Sequence, residues 1–165
     1  MQRETAVELA TRRRVLRLIS NGMYILTSRC GDDFGAATIT WLSQASFKPP
    51  LLVAAIRENS NVFRCLLKSR TAAVHILGCD QKDVAQKFFF PTKAVENEIN
   101  GEPFRDGSLG VPVLANTPAH IECRLVRSMS DFGDHALVVL EVVEAECRAS
   151  VRPLTIADSP WEYGG

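Results

Sequence analysis

The chain has 165 residues, of which 46% are hydrophobic and 23% charged, with 19 Lys and Arg balanced by 19 Asp and Glu. That length and mix suit a single domain over residues 1–165 with one hydrophobic core. The zero net charge gives no electrostatic ground for a nucleic-acid or membrane partner, and no apolar stretch is long enough to span a bilayer as a helix.

The first four residues, Met1-Gln2-Arg3-Glu4, lack the apolar core of a signal peptide, which points to the cytoplasm. Residues 5–20 read as a helix, with Val7, Leu9, Val15, Leu16, Leu18 and Ile19 at roughly helical spacing. Arg12, Arg13, Arg14 and Arg17 interrupt that stripe and read as its solvated face, with an anion patch as the alternative. Asn21-Gly22 is the expected stop.

Residues 23–29 form a predicted strand, followed by a Gly31-Asp32-Asp33 turn and a second strand over residues 36–43. Phe47-Lys48-Pro49-Pro50 breaks the pattern, and the apolar run 51–56 reads as a strand buried on both faces. Ser60 is the expected N-cap of a helix to about Ser69, and residues 71–77 form the next strand. Asp80 is the expected cap of a helix running to about Phe90, where Pro91 stops it. Residues 92–112 hold Asn100-Gly101, Pro103, Gly107, Gly110 and Pro112 and read mainly as loop. Two long strands, 119–129 and 135–147, are joined at Ser130–Asp134 as a hairpin. A tail over residues 153–165 ends in Trp161-Glu162-Tyr163-Gly164-Gly165. Strands outnumber helices and the connections are short, so the expected fold is mainly β, an antiparallel barrel with flanking helices.

The five cysteines, Cys30, Cys65, Cys79, Cys123 and Cys147, contain no CxxC pair and suggest neither a disulfide framework nor a zinc site. Cys123 and Cys147 read as buried small hydrophobes. There is no GxGxxG after a strand, no Walker loop, no HExxH and no GxSxG. Asp131-Phe132-Gly133 matches a kinase motif by letters only. His75, His120 and His135 lie on or beside strands, without metal-ligand spacing.

The polar cluster Thr38, Thr40, Ser43, Gln44 and Ser46 stands out within apolar sequence. Thr38 and Thr40 share one face of a strand, and Ala36, Ala37 and Ala45 let the backbone approach a flat ligand. Hydroxyls and turn N–H groups can hold a phosphate without a Gly-rich loop. From residue types alone, a ligand strand and a polar edge strand are equally good readings.

The run Gly22-Met23-Tyr24-Ile25-Leu26-Thr27-Ser28, the stretch from Ala37-Thr38-Ile39-Thr40-Trp41 through Ser46 to Pro50, and the strand after it resemble the flavin reductase-like family of FMN-binding split barrels. Val74-His75-Ile76-Leu77, Asp80-Gln81, Ala85-Gln86-Lys87-Phe88, Gly110-Val111-Pro112, Ala119-His120-Ile121 and Gly133-Asp134-His135 continue the likeness. The ending from Pro153 to Tyr163-Gly164-Gly165 is similar to the branch in high-molecular-weight rubredoxins and flavodiiron reductase domains.

The resemblance implies an antiparallel Greek-key split barrel and an NAD(P)H-dependent flavin reductase acting with FMN, with FAD as the alternative flavin. It places Thr38, Thr40 and Trp41 at the flavin ring. It places Ser43, Gln44, Ala45 and Ser46 at the ribityl chain or phosphate, and Arg57, Ser60 and Asn61 at the phosphate. Many relatives carry Asn where this chain has Thr40, and a small residue in place of Trp41. His135 is the implied positioner of the nicotinamide donor, either NADH or NADPH, and Tyr163 is a further candidate at the flavin. A homodimer is also implied. A bound-FMN electron carrier serving a redox partner protein is the main alternative, and a barrel that has exchanged flavin for another ligand is the third.

Overall fold

The computed structural model describes residues 5–165. Helix α1 (Ala6–Leu16) opens with a capping box in which Thr5 and Glu8 exchange side-chain and backbone hydrogen bonds. It ends at Leu16, short of the expected Asn21-Gly22 stop, and buries no residue. The arginines break the apolar stripe, so the helix has no continuous face to lay on a core.

Strands β1 (Tyr24–Cys30) and β2 (Asp33–Ile39) form a hairpin. The strand expected over residues 36–43 is in fact two. After β2 the chain leaves the ladder at Thr40-Trp41 and resumes as β3 (Leu42–Ser46), which pairs with β4 (Leu51–Arg57). Helix α2 (Asn61–Ser69), β5 (Thr71–Ile76), α3 (Lys82–Lys87), β10 (Ala119–Met129) and β11 (His135–Cys147) complete the main framework. Its seven strands run in the order β2-β1-β5-β10-β11-β4-β3, and every pairing is antiparallel. Consecutive strands β2 and β3 thus occupy opposite edges of one sheet. Two residues suffice to join those edges only because the sheet curls back on itself, giving a Greek-key split barrel.

The 92–112 segment corrects the expected loop. It carries β6 (Ala94–Val95), β7 (Glu98–Ile99) and β8 (Glu102–Asp106), and β9 (Pro112–Leu114) closes a four-stranded sheet. The turn signals were sound, since Asn100 and Gly101 both adopt positive φ. The ladders between those turns are too short to show a hydrophobic period.

Leu26, Ile56, Phe63, Leu66, Val74, Val138 and Leu140 meet inside the barrel, whereas Ile25, Met23, Leu77, Phe88, Leu114 and Leu154 form a second cluster. Adjacent residues Ile25 and Leu26 enter different clusters because side chains alternate along β1. Each fully buried aliphatic side chain contributes roughly 1.5–3 kcal/mol. The alternating burial along β4 shows one face fully covered and the other half-covered, rather than the expected two buried faces. Cys123 is buried as expected, but Cys147 stands exposed at the end of β11. Cys30 and Cys65 are free thiols whose sulfurs lie 3.0 Å apart, and burial, first among its causes, pushes the Cys65 thiol up to about 11.

His75 and Glu122 hold the two sheets together. The His75 ring is fully buried, with Nδ1 3.0 Å from the Ile25 carbonyl and Nε2 accepting from Leu114 N–H at 3.0 Å. That pair of partners specifies the neutral ring protonated on Nδ1. The Glu122 carboxylate accepts from the Ser108 and Leu109 N–H groups at 3.0 and 2.8 Å, ordering the turn between β8 and β9.

Helix α2 is capped by Ser60, whose hydroxyl accepts from Phe63 N–H. Its start lies against Gly35 so closely that an added Cβ would sit 2.4 Å from Val62 Cα. Gly35→Ala is therefore expected to push the helix N-terminus away and to cost about 1–3 kcal/mol, read as a lowered urea midpoint.

Candidate functional site

The split between the two barrel edges opens into a cavity of about 730 Å³, within the roughly 300–1,000 Å³ of small-molecule sites. Its walls are β2 with Thr40-Trp41, the end of β4, the N-terminus of α2, the segment after α3, and the C-terminal tail. Small residues Ala36, Ala37 and Ala55 form part of the lining, which leaves room for a flat group against the backbone.

Thr38, Thr40, Trp41, Arg57, Ser60, Asn61 and His135 all come to this cavity. Ser43, Gln44, Ala45 and Ser46 do not; they stand on edge strand β3 outside its lining, with the first three exposed. The sequence places them at the end of the Thr38 strand and the turn after it, but the break at Thr40-Trp41 starts a new strand, β3, that carries them to the opposite edge.

The Thr38 hydroxyl donates to the Ala85 carbonyl at 2.7 Å, and its N–H donates to the Phe88 carbonyl at 3.2 Å. These bonds tie β2 to the end of α3, which stops at Lys87 rather than near Phe90. Asp80 does not cap that helix. The N-cap is Gln81, whose side chain instead bridges Gly78 N–H and the Asn116 carbonyl.

Thr40 differs from Thr38. Its Oγ1 is buried and has no hydrogen-bond partner, the one side-chain oxygen in that condition among the described residues. An unmet buried hydroxyl costs free energy, so one held at a cavity wall fits a polar atom of a bound ligand.

At the α2 end, the Ser60 hydroxyl is already engaged, donating to the Arg57 carbonyl at 2.7 Å while it caps the helix. The first N–H groups of a helix have no intrahelical partner, and they lie here beside Arg57 and Asn61. This combination of one cation and several N–H donors suits an anion.

His135 begins β11 directly opposite Arg57 in the register. Its Nδ1 lies 2.6 Å from the Asp134 carboxylate, which is held below the usual carboxylate range by that hydrogen bond and by the nearby imidazole charge. Trp41 packs on the ring at 4.7 Å between centroids, and Tyr163 packs on Trp41 at 5.3 Å. The Tyr163 hydroxyl reaches His135 Nε2 at 3.4 Å.

The sequence reading missed the wall formed by Phe88, Phe89, Phe90, Pro91 and Thr92. Its signal was the triple phenylalanine before a proline, which reads only as a helix end. Thr92 Oγ1 fastens this wall to β2 by bonding both Ala36 N–H and its carbonyl. No cluster with metal-ligand character occurs among the described residues.

Residues 16–162 match the flavin reductase like domain. The chain belongs to this family. This flavin reductase-like domain is 31% identical over 127 residues to diflavin flavoprotein A 1 of Synechocystis, a match covering 75% of this chain and 22% of that protein. It is 33% identical over 122 residues to a flavin reductase (NADH) of Kitasatospora aureofaciens, covering 73% of this chain and 62% of that one. The domain thus spans less than two thirds of both relatives. Among solved structures, nitrilotriacetate monooxygenase component B from Mycobacterium thermoresistibile superimposes with a TM-score of 0.77 at 26% identity, covering 91% of this chain and 83% of that one. No helix among the described residues is long and apolar enough to cross a membrane.

Proposed function

We propose that this domain is an NAD(P)H-dependent flavin reductase that takes FMN in the cavity between the barrel edges. The observation that carries the reading is the buried, unpartnered Thr40 hydroxyl at a wall of small residues. Such an oxygen matches the polar rim of a flavin ring, while Arg57, Asn61 and the α2 N-terminus match its phosphate. Bound flavin supplies the two-electron redox chemistry, and the protein supplies orientation, water exclusion and electrostatics. No acid–base pair or covalent nucleophile is needed at the cavity for that division of labour.

Trp41 and the Phe88–Phe90 wall exclude water from one side, and His135 stands at the mouth to orient the donor. NADH is the first donor to test, because the Kitasatospora relative is a flavin reductase (NADH). A second reading, tightly held FMN passing electrons to a partner protein, is favoured by the likeness to a diflavin flavoprotein.

The open β3 edge, with Ser43, Gln44 and Ala45 exposed and Phe47 beyond it, supports a homodimer. Across such an edge these residues and Ser46 would meet ligand or partner.

The purified chain titrated with FMN and FAD is expected to quench flavin fluorescence, and to oxidise NADH or NADPH only when flavin is present. Binding of FMN without turnover of either nucleotide establishes the second reading. Absence of flavin binding overturns both.

A further inference from the structure

The arginine run at α1 is not merely a solvated face. Arg13 Nε donates to the Gly165 carbonyl at 3.2 Å, and Arg17 Nε donates to the Gly164 carbonyl at 3.0 Å. Arg17 also forms an ion pair with Glu162 at 2.6 Å. Arg13 and Arg17 lie one helical turn apart, so both guanidinium groups reach the same strand of tail.

The tail so held is a wall of the cavity. Trp161 packs edge-on against Phe89 at 4.8 Å, and Tyr163 covers Trp41 and bonds His135. The His135 side chain is only 11% exposed under this cover. Both of its ring nitrogens are occupied, Nδ1 by the Asp134 carboxylate at 2.6 Å and Nε2 by the Tyr163 hydroxyl at 3.4 Å. With the tail seated, His135 has no ring nitrogen for a donor molecule.

We propose that the tail over residues 159–165 is a latched strap whose seat shuts the nicotinamide donor away from His135, and that Arg13 and Arg17 are the positioning residues that set how often it opens. The proposal rests on the flavin reductase reading for its functional consequence. The polar part of the hold is weak, because exposed guanidinium contacts to two carbonyls and one exposed carboxylate compete with water and salt, and Trp161 is only partly buried where it packs on the second core cluster. A strap held so loosely exchanges between seated and open forms. The donor's apparent affinity is then reduced by the fraction of chains that are open. Because α1 buries nothing, its arginines can be changed without loss of the fold.

The test is the Arg13→Ala/Arg17→Ala double variant beside the wild type. Without flavin, release of Tyr163-Gly164-Gly165 by carboxypeptidase is expected to accelerate about tenfold. The emission of Trp41, one of two tryptophans, is expected to change as Tyr163 leaves it. With FMN, the KM for NADH is expected to fall about fivefold while kcat stays put, and high salt is expected to move the wild type toward the variant. Unchanged tail release overturns the latch. Faster release with an unchanged or raised NADH KM overturns the gate and leaves the flavin reading standing. A chain that binds no flavin overturns that reading, and with it the gate, while the carboxypeptidase rates still decide the latch.

Discussion

His75→Ala is expected to destabilise the fold by roughly 3–5 kcal/mol, measured by urea unfolding near pH 7.5. The substitution empties a fully buried site and leaves the Ile25 carbonyl and the Leu114 N–H without their partner. It therefore loosens β1, β5 and β9 at once. The same ring gives the protein a specific acid response. Burial is the largest cause that lowers the His75 pKa from 6.5 to about 3, and the neighbouring His120 charge acts in the same direction. As pH falls through 6.5 the unfolded chain takes up a proton that the folded chain refuses, so the unfolded state is favoured. Stability contributed by the neutral ring is full above that point and is lost progressively as pH falls from about 6.5 toward 3, at about 1.4 kcal/mol per pH unit. His120 is lowered as well, chiefly by burial, and adds to the slope in the same sense. His75→Leu removes the His75 share of that slope. A variant whose stability keeps the wild-type pH dependence between 6.5 and 4.5 would show that His75 is not the responsible group.

Arg57→Ala is expected to weaken FMN binding about tenfold to a hundredfold, the effect of losing a charge-assisted hydrogen bond worth roughly 1.5–3 kcal/mol. Arg57 ends β4, lines the cavity and lies beside the exposed start of α2. Its side chain is exposed at the sheet end, so the fold is expected to keep its unfolding midpoint. FMN affinity of the variant should also depend less on salt than that of the wild type, because one cation of the phosphate site is gone. Riboflavin, which lacks the phosphate, separates the two halves of the site. Its affinity is expected to be unchanged by Arg57→Ala. Equal loss for FMN and riboflavin would move Arg57 from the phosphate to the ring.

Helix α2 and the long hairpin of β10 and β11 were legible because each carries a strong local signal. Ser60 announces a cap, and the valine-rich strands announce themselves by alternation. The polar cluster after Ala37 was legible as unusual, and likeness to a family gave it a ligand. Its geometry was not legible. No local signal marks Thr40-Trp41 as the point where the chain changes edges, since a strand break of two residues has the same β-branched and aromatic composition as a strand. Phe88–Phe90 were hidden for a related reason: a triple phenylalanine before proline reads as a helix end, whereas α3 stops at Lys87 and the chain after it lines the cavity.

The sequence by itself determined the mainly β class, the order of the principal elements, the Ser60 cap and the family. These follow from period, capping and motif order, all of which act within a few residues of one another. The tertiary structure alone decided which polar residues share a cavity. It left Ser43 to Ser46 on an outer edge, orphaned the Thr40 hydroxyl, and turned Arg13 and Arg17 from a solvated face into the clasp of the C-terminal tail. Such outcomes depend on contacts between segments far apart in the chain, and those are set by the closing of the barrel rather than by any local pattern.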